Sequence, residues 1–149
     1  MQVRRAQIQD LEQVLFRYKK LNPEDAPLPL HEVINQKWKQ ILGRYLIYVY
    51  VAEQDKKLLG TYMLTVVPNL TRGCLSFGLI EKVVTDHDFR RKGIGCKLLK
   101  TALDQAWQDG CYKVMLVTGS KRPEILFFYE EAGFELGKKT GFIAYPRPD

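Results

Sequence analysis

The chain has 149 residues, which is the length of one ordinary domain, and 46% of them are apolar and 27% charged. These values are typical of a soluble globular protein and exclude a disordered chain, a collagen-like chain and a coiled coil. No apolar run approaches the roughly 18 residues of a membrane span, and the first residues lack the apolar stretch of a signal peptide. We therefore expect one cytoplasmic domain over residues 1–149, with no membrane partner.

The charge is basic: 23 lysines and arginines against 17 acidic residues give a net charge of +6. This balance favours anionic partners in general but does not choose among nucleic acid, a phosphorylated metabolite and a phosphorylated cofactor. The three cysteines, Cys74, Cys96 and Cys111, are an odd number without the spacing of a zinc site. We expect free thiols and no metal centre.

The first half of the chain predicts a short strand at residues 3–6 and two helices. Apolar residues recur at helical spacing from Ile8 to Tyr18, and again over residues 33–42, where Gly43 ends the pattern. Three strands follow at residues 45–52, 58–67 and 75–85, with Gly78 at a predicted bulge in the third.

The second half alternates strand and helix. A basic, glycine-bearing loop at residues 89–95 leads into a helix that Gly110 caps. A strand at 113–117, a helix that begins near Pro123 and a last strand at 142–145 complete the pattern. Strand, helix and strand in succession form a parallel crossover, whereas the earlier hairpins are antiparallel. The sheet is therefore predicted to be mixed, in an α/β or α+β domain.

The stretch from residue 83 to residue 95 carries the chemistry. A strand runs through a short loop directly into an amphipathic helix, whose first N–H groups have no partner within the helix. Gly93 and Gly95 let a bulky anion approach the backbone, and Arg90, Arg91 and Lys92 add positive charge. This combination predicts a cradle for a pyrophosphate group.

Three phosphate-binding motifs compete for this stretch. A Rossmann fingerprint needs a third glycine where Leu98 stands, and no P-loop sequence occurs. The remaining pattern, Arg90-x-x-Gly93-x-Gly95, resembles the coenzyme A pyrophosphate motif of the GNAT family of N-acetyltransferases. The later Phe128-Tyr129-x-x-x-Gly133-Phe134 resembles a second element of that family, and the likeness covers essentially the whole chain.

This resemblance implies a mixed sheet of six to seven strands, splayed between the fourth and fifth, with about four flanking helices and acetyl-CoA in the cleft. Residues 80–84 look nearest to the glucosamine-6-phosphate acetyltransferase branch. That branch usually has Glu-Asp where this chain has Glu81 and Lys82, so a basic residue stands in place of an acidic one beside the predicted site. Many relatives also place an asparagine at the start of the next helix, where residues 119–124 contain none.

The resemblance assigns residues to the cofactor. Backbone groups of the strand before the loop bind the pantetheine arm, and backbone N–H groups of the loop and helix start bind the pyrophosphate. By position the cofactor-binding residues are Val83, Val84, Thr85, Arg90, Arg91, Lys92, Gly93, Ile94, Gly95 and Cys96.

Two residues are candidates for proton transfer. Tyr129 matches the family tyrosine that protonates the leaving thiolate or donates a hydrogen bond to it, and Glu81 is the candidate base for the amine. The structural alternative for Tyr129 is packing in the sheet cleft, and that for Glu81 is a surface ion pair. His31 and His87 are weaker candidate bases. Arg72 could meet a carboxylate or phosphate of the acceptor, or could simply be solvated.

The sequence thus predicts an N-acetyltransferase that moves an acetyl group from acetyl-CoA to a primary amine of a small molecule or protein. The amine would attack directly in a ternary complex, and the enzyme would be a monomer or a homodimer. A non-catalytic sensor that binds acetyl-CoA is the alternative. Nucleic-acid binding is disfavoured, because no recognised motif occurs and coenzyme A phosphates explain the basic cluster.

Overall fold

The structure, a computed structural model, describes residues 1–86 and 92–148. They fall into two compact units, Met1–Leu116 and Val117–Asp149. The first unit contains a sheet with helices on both faces, and the second contains one helix followed by irregular chain.

The first unit contains a mixed sheet. Its strands lie side by side in chain order, and the first three neighbouring pairs are antiparallel, whereas the last pair is parallel. The strands are β1 (Gln2–Arg5), β2 (Ile47–Gln54), β3 (Lys57–Val67), β4 (Ser76–Thr85) and β5 (Cys111–Leu116). The mixed α/β class expected from the sequence is confirmed.

The predicted helices form with small shifts at their ends. They are α1 (Leu11–Leu21), which follows a 3-10 turn at Ile8–Asp10, α2 (His31–Gly43), α4 (Ile94–Gln108) and, in the second unit, α5 (Pro123–Glu131). A further short segment, α3 (Thr71–Cys74), lies in a predicted loop, and its Arg72 and Gly73 have left-handed backbone angles.

The helices of the first unit cover opposite faces of the sheet because each has one apolar side. Helices α1 and α2 bury a cluster against the sheet, namely Leu11, Val14, Trp38, Val49, Val51 and Leu58. On α4, Leu98, Leu99, Ala102 and Ala106 are fully buried, and this helix packs on β3, β4 and β5. Burial of a leucine side chain contributes about 1.5–3 kcal/mol, so α4 is firmly anchored.

The described sheet has five strands rather than the six to seven expected. Residues 142–145, predicted as a last strand, form neither strand nor helix. Phe142 is 93% exposed and Tyr145 is 80% exposed. Aromatic and β-branched residues favour a strand only where a neighbouring strand offers pairing, which a local pattern does not specify.

The fourth and fifth strands pair over only part of their length. Their register runs from Ser76 opposite Cys111 to Ile80 opposite Leu116, where β5 ends. Strand β4 continues to Thr85 and pairs there with β3 alone. The splay expected between the fourth and fifth strands is therefore present.

Gly60 sets the distance between β3, β4 and α4. A Cβ atom on this residue would lie 2.7 Å from the Val84 carbonyl oxygen and 2.8 Å from a methyl carbon of Leu98. Both approaches are closer than non-bonded carbon contacts allow. Only glycine lets the helix and the two strands pack this tightly.

We predict that Gly60→Ala destabilises the fold by about 1–3 kcal/mol, because backbone and side chain must move to admit the methyl group. Urea unfolding measures the change. Gly43→Ala is the control, since no atom of the described residues lies within 4 Å of the added Cβ at the end of α2. Equal stability of the Gly60→Ala variant and the wild type would contradict the packing argument.

Candidate active site

Within residues 1–86 and 92–148, no strand pairs with the end of β4 on the side where β5 has ended. The Asp86 N–H donates to the Leu59 carbonyl, at 2.7 Å, and so points toward β3. Successive N–H groups of a strand point to opposite edges. The N–H groups of Thr85 and Val83 therefore point away from β3, whereas Val84 directs its polar groups toward it.

A bulge lies just before this edge. Thr61 opposes Val84 and Met63 opposes Glu81, so Lys82 and Val83 together face the single residue between Thr61 and Met63. Lys82 has φ of 56°, a left-handed angle that is strained for a lysine. No bulge lies at Gly78, where one was predicted: the register shift between Ser76 and Gly78 in the pairing with β5 comes from an extra residue in β5, between Cys111 and Val114, and Gly78 pairs regularly with Val66 of β3.

Helix α4 begins beside the end of β4. Gly93 is its N-cap, with φ of 75°, and the Gly93 carbonyl accepts the first helical hydrogen bond from Lys97. The first N–H groups of the helix lack partners inside it and carry its positive dipole end. Buried Ile94 and Leu98 fix this helix start against the sheet.

The structure brings most of the predicted cofactor residues to one end of the first unit. Lys92, Gly93 and Cys96 are exposed there, whereas Ile94 and Gly95 are buried. The predicted residues Arg90 and Arg91, and also His87, lie outside the described residues.

A buried ion pair holds the last described residue before this segment. Asp86 is 2% exposed, and its carboxylate lies 3.2 Å from Arg17, which is also 2% exposed. Lys20 and Lys57 lie 3.6 Å and 4.0 Å from the same carboxylate. This cluster was not predicted from the sequence, although Arg17 follows Val14 by three residues and so falls on the buried side of α1.

Glu81 lies at the end of a row on the face of the sheet that α1 and α2 partly cover. Phe77, Leu79 and Glu81 alternate along β4 and share one face, and Glu81 pairs with Met63, which packs on the α1–α2 cluster. Leu79 is 37% exposed and Glu81 is exposed as well. Helices α1 and α2 thus leave the Leu79–Glu81 end of this row exposed to solvent.

Two cations lie at the other end of the row. The Arg72 guanidinium is 5.8 Å from the centre of the Tyr112 ring, and the Lys113 ammonium is 5.3 Å from the same ring and 5.6 Å from that of Phe77. Within residues 1–86 and 92–148, neither cation forms an ion pair. Lys113 was not among the predicted site residues, because its strand was interpreted only as part of the core.

Tyr129 lies in the second unit, on α5. Its ring is 5.1 Å from that of Phe128 and meets Phe134 edge-on at 6.3 Å. The turn after the helix is closed by the Phe134 N–H, which donates to the Tyr129 carbonyl. Burial raises the pKa of Tyr129 above its usual value, so its hydroxyl remains protonated at neutral pH.

The other candidates are less well placed for chemistry. The His31 side chain is 68% exposed at the start of α2, where its Nδ1 lies 3.9 Å from Glu12. Cys74, Cys96 and Cys111 are free. Among residues 1–86 and 92–148, no cluster of metal-binding side chains is found. Nor does any helix in these ranges combine the length and the apolar character that a bilayer span requires.

We predict that Gly93→Ala destabilises the protein by roughly 1–2 kcal/mol, because alanine is strained in the left-handed conformation. Gly93→Asn is expected to cost less, since asparagine tolerates that conformation. Urea unfolding compares them. Among residues 1–86 and 92–148, no atom lies within 4 Å of the added Cβ, so the expected loss comes from the backbone conformation of residue 93 and not from a clash with these residues. Equal stability of the alanine variant and the wild type would contradict the assignment of backbone strain.

The chain was compared with known proteins. The Acetyltransferase (GNAT) family matches residues 7–134. A glucosamine 6-phosphate N-acetyltransferase of Trypanosoma brucei brucei is 35% identical over 86 residues, which are 58% of this chain and 56% of that enzyme. The chain spans about half the length of the curated relatives it matches first.

Solved structures agree with this assignment. A putative acetyltransferase from Agrobacterium tumefaciens superposes with a TM-score of 0.91 at 36% identity, over 98% of this chain and 100% of that one. A protein from Bacillus halodurans described as a transcriptional regulator gives 0.85 at 28% identity, over 97% and 99%. The family match extends across both compact units, and the splayed sheet and glycine-capped helix start agree with it. The chain belongs to the acetyltransferase (GNAT) family.

Proposed function

We propose that this protein transfers an acetyl group from acetyl-CoA to a primary amine by direct attack within a ternary complex. The observation that carries the proposal is the free edge of β4 next to the glycine-capped start of α4. Family membership supports the same chemistry. The two compact units would act together as one domain over residues 1–149, as a cytoplasmic monomer or homodimer.

The residues present fit coenzyme A. The outward N–H groups of Val83 and Thr85 suit the amide groups of a pantetheine arm, which would continue the sheet where β5 stops. The N-terminal N–H groups of α4, with Gly93 at the cap and Lys92 before it, suit a pyrophosphate. Acetyl-CoA would supply the activated acyl group, and Arg90 and Arg91 would add charge to this end of the molecule.

Glu81 would accept the proton of the attacking amine, directly or through water. An alkyl ammonium has a pKa of about 10.4, so deprotonation at pH 7 costs roughly 4–5 kcal/mol. Glu81 is exposed on the open row of β4, two residues before Val83. A carboxylate there can meet an incoming amine close to the cofactor edge.

Tyr129 would donate a hydrogen bond to the departing sulfur. The raised pKa keeps the phenol protonated, which is the form a donor needs. A free thiol has a pKa of about 8.5, below that of a phenol, so full proton transfer from tyrosine is uphill. A hydrogen bond that stabilises the thiolate avoids this cost.

The acceptor would carry an anionic group as well as an amine. Arg72 and Lys113 are held beside one aromatic ring without a carboxylate partner in the described residues. Four residues of strand separate Phe77 from Glu81 by about 13 Å. The long side chain of Lys113, which lies beside Phe77, can span part of this distance. A phosphate or carboxylate at Lys113 would therefore direct an amine toward Glu81.

Glucosamine 6-phosphate, the substrate named for the trypanosomal relative, has this combination of groups. The glucosamine-6-phosphate acetyltransferase branch usually has aspartate at the position of Lys82. In this chain Lys82 instead adds a positive charge beside Glu81. A screen of amines as acetyl acceptors should therefore contain glucosamine 6-phosphate together with other phosphorylated and carboxylated amines. Lysine-containing peptides test for a protein acceptor.

We predict that Glu81→Gln and Tyr129→Phe each lower kcat by roughly 10²-fold or more. Steady-state release of thiol from acetyl-CoA measures the rate. The Glu81→Gln rate should rise tenfold per pH unit up to the amine pKa, because solvent must then remove the proton. Since the pKa of Tyr129 is raised, the Tyr129→Phe loss should persist over about pH 6–9.

Glu135→Gln and Tyr145→Phe are the matched controls, because both residues are exposed. Their rates should equal that of the wild type. Unchanged rates in both Glu81→Gln and Tyr129→Phe would contradict the assigned roles. Tight binding of acetyl-CoA without turnover of any amine would instead indicate the sensor function.

We predict that Lys113→Met and Arg72→Met each raise KM for phosphorylated amines about tenfold or more, since each removes a charge-assisted contact. KM for acetyl-CoA and for uncharged amines should stay near the wild-type values. Lys121→Met, a surface change in the second unit, is the control. An equal loss with charged and uncharged amines would contradict a role in anion recognition.

A further inference from the structure

The buried pair of Arg17 and Asp86 joins α1 to the end of β4. Both residues are 2% exposed, and their charged groups are 3.2 Å apart. The same arginine nitrogen donates to the Leu58 carbonyl, and the Asp86 N–H donates to that of Leu59. Side chain and backbone of Asp86 are therefore both fixed, the first to α1 and the second to β3.

Stability alone does not account for this pair. Replacing a buried ion pair with apolar residues of similar volume is often neutral or stabilising, because two charges must be desolvated. The Arg17 Nε, moreover, is buried and has no hydrogen-bond partner in the part of the chain that the structure describes. An unpaired buried donor opposes folding, so an apolar side chain would fill this space at a lower cost in folding free energy than the arginine does.

The position of the pair shows what it can control. Asp86 is the last residue before residues 87–91, and after them Lys92 and Gly93 lead into α4, which is anchored by buried Ile94 and Leu98. The pair thus fixes the end of β4, and the packing of Ile94 and Leu98 fixes the start of α4. A shift of either element would move its backbone N–H groups relative to the proposed cofactor.

We propose that Arg17 and Asp86 are positioning residues for acetyl-CoA: their ion pair sets the position of the end of β4, whose outward N–H groups are proposed to hold the pantetheine arm. In this role they would act through the backbone of β4 rather than by contacting the cofactor or the acceptor. This inference rests on the proposed function and adds a role for α1, an element remote from the cofactor motif in sequence.

The test compares two buried carboxylates. Asp10 is 3% exposed and accepts two hydrogen bonds from Arg4, at 2.7 Å and 3.0 Å, far along the chain from the cofactor segment. Both Asp86→Asn and Asp10→Asn should lower the melting temperature. Only Asp86→Asn should raise the Kd for CoA, measured by calorimetry, by about tenfold or more, with kcat kept at saturating acetyl-CoA.

The apolar pair Arg17→Met with Asp86→Leu separates positioning from stability. It should recover the melting temperature, since no buried charge remains, while the Kd for CoA stays raised. Wild-type affinity for CoA in Asp86→Asn or in the apolar pair would overturn the inference. So would failure of both to fold, because the fold itself would then require the pair. Absence of CoA binding by the wild-type chain would overturn the proposed function itself.

Discussion

The end of β5 at Leu116, five residues before β4 ends, is the constraint on which the proposed site depends. A strand that is paired along both of its edges has no free backbone groups to offer a ligand. Among the described residues, β4 beyond Ile80 has β3 as its one neighbouring strand, and alternation of the strand sends the N–H groups of Val83 and Thr85 into the gap. The polar groups of an extended amide chain are the natural partners for such an edge.

The surrounding structure keeps that edge rigid and electropositive. Gly60 lets α4 pack closely on β3 and β4, so the helix start lies next to the end of the strand. The helix start contributes partial positive charge, and Lys92 just before it contributes a full charge. Apolar packing thus fixes the geometry, whereas the charges select an anionic ligand.

The sequence specified much of this arrangement. The glycine-bearing motif and the strand before it indicated where the proposed cofactor site lies, because strand, turn and helix start follow one another in the chain. Contacts made by folding were not predictable in the same way: Arg17 and Asp86 are 69 positions apart, and nothing local shows that they meet. Lys113 was missed since a charged residue within a strand pattern does not reveal which rings it contacts.

Residues 142–145 show the opposite error. Their aromatic and β-branched composition favours a strand, yet these residues are exposed without strand pairing. Local propensity for a strand is realised only when another strand presents a free edge in register. The number of strands in a sheet is therefore a tertiary property, unlike the class of the fold.

The most direct measurement is amide hydrogen exchange, followed by NMR, with and without saturating acetyl-CoA. We predict that the Val83 and Thr85 amides exchange much more slowly in the presence of acetyl-CoA. Val84 and Asp86, which face β3, should be protected in both states. Unchanged exchange at Val83 and Thr85 under conditions where acetyl-CoA binds would contradict the claim that the free edge of β4 holds the cofactor.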